Sequence, residues 1–127
     1  PVMGTGTGGH DGAINIDGAV DYIRRPLALA NAAKVYAVFI SGDSMEPRYF
    51  TGEPVFVSPT RPVSVGDHVV SQCRADGGDL LAFVKTITGR SSHGWRFGQY
   101  NPEREWTPPC PVETVHRIYT PSDLYLV

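Results

Sequence analysis

The sequence predicts a mostly β domain, built from short antiparallel strands in a sheet or barrel-like body with little helix. Gly (14) and Pro (11) together make up about a fifth of the 127 residues, which is typical of many short strands joined by turns. Short apolar, β-rich runs recur between these turn signals. The length fits one domain, and a hydrophobic fraction of 41% is too high for a disordered chain.

The elements follow in order along the chain. Residues 1–13 are rich in glycine and are expected to be mobile or extended. Residues 26–34 predict a short helix, with Pro26 suited to its first turn. Strands are predicted at residues 35–41, 55–58, 68–74, 80–88, 95–100, 112–120 and 124–127, with hairpin connections at 75–78 and 88–94.

Composition excludes several classes of protein. With 11 basic and 13 acidic residues the net charge is -2, so the basic excess of a nucleic-acid-binding surface is missing. No apolar run is long enough to span a membrane, and no signal peptide is visible from Pro1 onward. We therefore expect a cytoplasmic protein without a membrane partner, and we interpret the chain as a piece of a longer one.

The cysteines and histidines indicate neither a metal site nor a cofactor. Cys73 and Cys110 are too few for a disulfide framework, and they do not form a CxxC motif. We expect two free thiols in the core of a cytosolic protein, with a single bridge as the lesser alternative. The four histidines lack metal-ligand spacing.

Ser44 is the first candidate for chemistry. It lies in a glycine-containing turn, Ser41-Gly42-Asp43-Ser44, directly after a predicted buried strand. The strand gives rigidity and the turn gives exposure, and successive N–H groups in such a turn can hold an oxyanion. The alternative is a plain turn in which the serine is a local cap.

Lys85 is the second candidate. The two-residue period of a strand places it on the same face as Phe83 and Ile87. Desolvation on such a face lowers the pKa of a lysine, and a neutral amine can take the proton from a serine hydroxyl. The alternative is an edge-strand lysine whose amine reaches water.

The segments around Ser44 and Lys85 occur together with three others, in an order that matches one known family. The five segments are residues 38–47, 51–57, 65–70, 83–87 and 99–102. Together they resemble the self-cleaving C-terminal domain of LexA-like and phage repressors and of UmuD-like polymerase accessory proteins. The resemblance implies a LexA-type, signal-peptidase-like β-fold, with Ser44 as nucleophile, Lys85 as base, the N–H groups of Asp43 and Ser44 as oxyanion donors, and no cofactor.

The resemblance also implies a cleavage site. In this family an upstream segment holds a bond between a small residue and glycine, which the domain cuts. Residues 3–9 align best, which places the bond between Gly8 and Gly9. Gly8 stands where the family typically has Ala or Cys. We therefore interpret residues 1–13 as the cleavage-site segment or, alternatively, only a linker, and residues 14–127 as the peptidase and dimerisation domain.

The resemblance implies three alternative functions. The first is the C-terminal domain of a LexA-like or phage-type transcriptional repressor, a latent Ser–Lys peptidase that contacts DNA only through a missing N-terminal domain and is activated by a RecA filament. The second is a UmuD-like subunit of a translesion polymerase. The third is a module of the same fold that dimerises without cleaving. A helix-turn-helix before Pro1 would favour the first over the second.

The end of the chain suggests how copies associate. Residues 124–127 form an apolar run without the charge or proline that usually protects an edge strand. Pairing of this strand about a two-fold axis would satisfy its free N–H and C=O groups. We therefore expect a homodimer that forms through residues 122–127, the C-terminal strand.

Overall fold

We describe the protein from a computed structural model that covers residues 2–6, 14–15 and 35–125, with only the backbone described for residues 2–6, 14–15, 124 and 125. The strands in chain order are β1 (Val2–Gly6), β2 (Ile14–Asn15), β3 (Tyr36–Phe39), β4 (Pro54–Ser58), β5 (His68–Arg74), β6 (Leu80–Ser91), β7 (Gly94–Tyr100), β8 (Glu103–Trp106) and β9 (Val112–Ile118), and they are followed by the helix α1 (Pro121–Tyr125).

The strands form one sheet in the order β2-β1-β3-β4-β9-β5-β6-β7-β8. All neighbours are antiparallel except β1 and β3, which run parallel. Because β2 also pairs with β6, the sheet closes into a ring from which β7 and β8 extend. This confirms the predicted mostly β, largely antiparallel and barrel-like body.

Apolar side chains cover both faces of the strand β6. Ala82 and Val84 belong to one buried cluster, which also contains Val38 and Met45. Phe83 and Ile87 belong to a second cluster, on the opposite face, with Phe97 and Trp106 among its members. Burial on both sides explains why the central part of β6 reads as a nearly continuous apolar run.

Most of the predicted strands are present with small shifts at their ends. The strand predicted at residues 80–88 continues to Ser91, and a turn at Ser92 and His93 replaces the longer predicted connection. The turn is followed by Gly94, whose φ of 120° favours glycine. The strand β8 was not predicted, because its Glu-Arg-Glu run is exposed and only Trp106 is buried. The helix predicted at residues 26–34 lies outside the described residues.

The C-terminal strand prediction is wrong at Leu124 and Tyr125, which belong to α1. The Thr120 hydroxyl accepts the N–H of Asp123 at 3.2 Å, and the Asp123 carboxylate accepts the N–H of Thr120 at 2.8 Å. This reciprocal pair is a capping box, and Pro121 occupies the first helical position. These local signals outweigh the apolar pattern, so the dimer seam expected along a strand loses its basis there. Residues 126 and 127 lie outside the described residues.

The prediction of two free thiols is also wrong. Cys73 on β5 and Cys110, just before β9, form a disulfide, which was the lesser alternative. Pairing between β5 and β9 brings the two Cα atoms to 5.6 Å, within the range that a disulfide spans. A bridge between residues 37 apart in the sequence stabilises a domain by about 2–4 kcal/mol.

The described part of the chain contains no helix that is long and apolar enough to cross a membrane.

Candidate active site

Ser44 lies in the turn that follows β3, and its side chain is buried. The turn is held from the opposite side by the residues that connect β7 and β8. The Ser44 carbonyl accepts the N–H groups of Tyr100 at 3.0 Å and Asn101 at 2.8 Å, and the Asn101 side-chain amide donates to the Asp43 carbonyl at 3.1 Å. The position of Ser44 is therefore fixed by contacts from a distant part of the chain.

Hydrogen bonds to the carbonyls of the turn also orient the two predicted oxyanion donors. In a trans peptide the N–H points away from the preceding carbonyl, so fixing that carbonyl fixes the N–H. The Asp43 carbonyl, which precedes the Ser44 N–H, accepts bonds from Glu46 and Asn101. The Gly42 carbonyl, which precedes the Asp43 N–H, accepts the Thr51 hydroxyl at 2.9 Å. Both peptide planes are thus held in place.

Lys85 lies on β6 directly beside Ser44. Its side chain has 0% exposure, and its Nζ donates hydrogen bonds to Ser44 Oγ and to Gln99 Oε1, both at 3.1 Å. The Nζ also lies 4.9 Å from the centre of the Trp106 ring. The structure therefore brings together the two side chains that the sequence singled out, at a distance that permits direct proton transfer.

Gln99 is the residue of this site to which sequence analysis assigned no role. It lies on β7 with 3% exposure, and its Nε2 donates to the carbonyls of Asn101 at 3.4 Å and Pro102 at 3.2 Å. The β6–β7 register shifts between Ile87 and Gly89, and beyond this shift Thr86 pairs with Gly98. The shifted register brings Gln99 opposite Lys85.

A second layer of polar side chains supports the turn. The ring nitrogens of His68 form hydrogen bonds with the hydroxyls of Tyr49 at 3.1 Å and Tyr100 at 2.9 Å. Burial lowers the pKa of His68, and the nearby charge of Arg48 lowers it further. Burial also raises the pKa of Tyr49 to about 12. This neutral network packs behind Tyr100, whose N–H binds the Ser44 carbonyl.

The amino-acid sequence of the chain is similar to those of known proteins. The family model described as Peptidase S24-like matches residues 1–111 of the chain. The chain belongs to the Peptidase S24-like family. Repressor protein C of Rhizobium phage 16-3 is 42% identical over 110 residues, and the match covers 83% of this chain and 42% of that repressor. The chain thus spans less than half the length of this curated relative. No solved structure matches the S24-like chain significantly.

The predicted cleavage bond of this S24-like domain, Gly8–Gly9, lies outside the described residues, but strands on both sides of it are described. Before the bond, β1 runs parallel to β3, with Gly4 opposite Val38. After the bond, β2 pairs with β6, with Ile14 opposite Ala82. The chain on either side of the bond is therefore paired with the strand that precedes Ser44 and with the strand that carries Lys85.

Among the described residues of the S24-like domain, no three His, Cys, Asp or Glu side chains gather in the way that a metal ion requires.

Proposed function

We propose that this S24-like domain is the C-terminal part of a phage-type transcriptional repressor and that it cuts its own chain as a serine peptidase. The observation that carries the proposal is the buried contact of 3.1 Å between Lys85 Nζ and Ser44 Oγ. The repressor assignment is supported by the name of the phage relative, Repressor protein C.

In the proposed reaction, the Oγ of Ser44 attacks the carbonyl carbon of Gly8 while neutral Lys85 takes the hydroxyl proton. The N–H groups of Asp43 and Ser44 stabilise the oxyanion that forms on the Gly8 oxygen. Lys85 then returns the proton to the amide nitrogen of Gly9, the C–N bond breaks, and water hydrolyses the ester left on Ser44. Because the substrate is part of the same chain, effective concentration replaces a pocket for foreign peptides.

The protonation state of Lys85 sets the pH dependence of this reaction. Complete burial disfavours the charged ammonium form, whereas the Trp106 ring face favours it. Only the neutral amine can act as the base. Self-cleavage is therefore expected to be slow near neutral pH and faster in alkali.

The test is incubation of the chain, extended to its natural N-terminus, at about pH 7 and about pH 10. Mass spectrometry should find a new N-terminus at Gly9, formed faster at the higher pH. Ser44→Ala should abolish the cut, whereas Ser71→Ala, which changes a buried serine on β5, should leave it intact. A wild-type chain that stays whole for days while folded would refute the peptidase proposal.

One observation favours a second candidate, a module that dimerises without cleaving. Gly8 has no Cβ to fill a small pocket, and ordering a glycine-rich segment costs more entropy than ordering other residues. The absence of any cut in the incubation at either pH, together with a stable dimer in sedimentation, would favour this candidate.

The repressor proposal includes a cytoplasmic location and a homodimer. The homodimer is expected because two linked DNA-binding domains bind paired half-sites far better than one. DNA contact would come from chain outside these 127 residues. The UmuD-like alternative gains less support, because the phage relative is a repressor. Activation by a RecA filament is proposed from the family resemblance alone.

A further inference from the structure

We propose that Gln99 is the positioning residue of the general base: its side-chain oxygen turns Lys85 so that the lone pair of the neutral amine faces Ser44. This inference rests on the proposed peptidase function and assigns a role within it. It starts from the hydrogen bond of 3.1 Å that Lys85 Nζ donates to Gln99 Oε1.

The orientation of the Gln99 amide is fixed by its other partners. Its Nε2 faces the carbonyl oxygens of Asn101 and Pro102, and a carbonyl oxygen accepts hydrogen bonds but never donates them. A flipped amide would set its own oxygen against these carbonyls. Gln99 therefore presents only an acceptor to Lys85.

An acceptor at this position limits the orientation of a neutral amine more than that of an ammonium. The neutral amine has two N–H groups and one lone pair, and the lone pair gains nothing by facing another acceptor. With one N–H held by Gln99, the lone pair turns away from Gln99 toward the remaining directions, which include the Ser44 hydroxyl at 3.1 Å. The serine hydroxyl can then donate to the nitrogen that takes its proton.

The charge of this acceptor is as important as its position. A carboxylate at residue 99 would stabilise the ammonium form of Lys85 and keep the base protonated up to a higher pH. An amide has nearly the same shape but no charge. Gln99 thus orients Lys85 while favouring the ammonium form less than a carboxylate would.

The experiment compares the pH–rate profile of self-cleavage in the full chain for wild type, Gln99→Glu and Gln99→Met. Glutamate should shift the midpoint of the profile to higher pH by about 1–3 units, which slows cleavage at neutral pH by roughly 10- to 1,000-fold. Methionine removes the acceptor that favours the ammonium, so the midpoint should shift to lower pH while the plateau rate falls by about tenfold or more. Shifts in opposite directions are not expected of a residue that only supports the fold.

Gln72→Glu is the matched control, because Gln72 is also a buried glutamine of the sheet but bonds to Tyr36 and Thr114. It should leave the midpoint unchanged. Unchanged midpoints in both Gln99 variants would overturn the inference.

A second measurement keeps the inference independent of cleavage. The side-chain NMR titration of Lys85, recorded in a Ser44→Ala background, should shift up with Gln99→Glu and down with Gln99→Met. If wild type never cleaves but these shifts appear, the peptidase proposal fails and the role of Gln99 in tuning Lys85 stands. If wild type cleaves and the titration does not move, the inference about Gln99 fails.

Discussion

Two polar clusters, one buried and one partly buried, are built on the same sheet and differ in chemistry. The proposed catalytic cluster consists of Ser44, Lys85 and Gln99. The structural cluster bridges β3, β5 and β9 through Tyr36, Gln72, Thr114 and His116. In it, the Tyr36 hydroxyl bonds to His116 Nδ1 at 2.7 Å and accepts Gln72 Nε2 at 3.3 Å, and Thr114 donates to Gln72 Oε1 at 2.8 Å.

The structural cluster is made of neutral groups. Burial raises the pKa of Tyr36 and lowers the pKa of His116, so neither group is charged near neutral pH. The proposed catalytic cluster instead contains an amine with 0% exposure, placed against the hydroxyl of a fixed turn. Buried polar bonding alone is therefore no sign of function. The distinguishing feature is a buried amine beside a serine hydroxyl, which the proposed function uses as base and nucleophile.

The largest expected difference between the clusters comes from Lys85→Met. Self-cleavage should fall by roughly 100- to 10,000-fold, because the general base is lost. The free energy of unfolding should change little or rise, because the burial cost of the amine disappears. Cleavage assays and thermal melts check both expectations. The control variant Arg90→Met removes an exposed cation of the same strand and should leave cleavage unchanged. A large loss of thermal stability would identify Lys85 as a paired structural cation.

The second prediction concerns the structural cluster, where a substitution should lower stability and leave self-cleavage unchanged. Tyr36→Phe should lower the free energy of unfolding by about 1–3 kcal/mol, because His116 and Gln72 each lose a hydrogen-bond partner. Its self-cleavage rate should stay at the wild-type value. Tyr119→Phe removes a hydroxyl from another buried tyrosine and should cost less than about 0.5 kcal/mol in urea unfolding. A slowed cut in Tyr36→Phe would show that the clusters are coupled.

The smallest expected effect concerns two partly buried histidines, His116 of the structural cluster and His68 behind the turn of Ser44. Burial lowers the pKa of both His68 and His116 in the folded state. Their contribution to stability is therefore complete above the unfolded-state pKa of about 6.5 and is lost as the pH falls toward the folded-state values. In urea unfolding between about pH 7 and pH 5, the free energy of unfolding should depend less steeply on pH in His116→Asn and in His68→Asn than in wild type. The difference in slope should correspond to less than one bound proton for each variant. Equal slopes in wild type and in both variants would contradict the prediction.

The sequence predicts Ser44 and Lys85 because both signals are local. A turn after an apolar run marks the serine, and a two-residue period places the lysine on a buried face. Gln99 could not be found in this way. Without the irregularity between Ile87 and Gly89, the hairpin register would set Tyr100, not Gln99, opposite Lys85.

The errors elsewhere have two physical origins. Some features depend on long-range pairing, as Gln99 does, and one has a local signal that the prediction did not use. The disulfide depends on long-range pairing of β5 with β9, which no local pattern reveals. The helix α1, in contrast, has a readable local signal in Thr120 and Asp123, which the apolar run after them obscured. The charged strand β8 is held by pairing with β7 and has little apolar pattern of its own.

The pairing of β1 with β3 and of β2 with β6 determines the state of the chain after a cut between Gly8 and Gly9. The described strands on the two sides of the cut, β1 and β2, would still be paired in the sheet, and they are also paired with each other. Breaking the peptide bond would thus give a nicked protein whose two pieces stay together. Their separation would be a second event, governed by the rate at which β1 leaves the sheet.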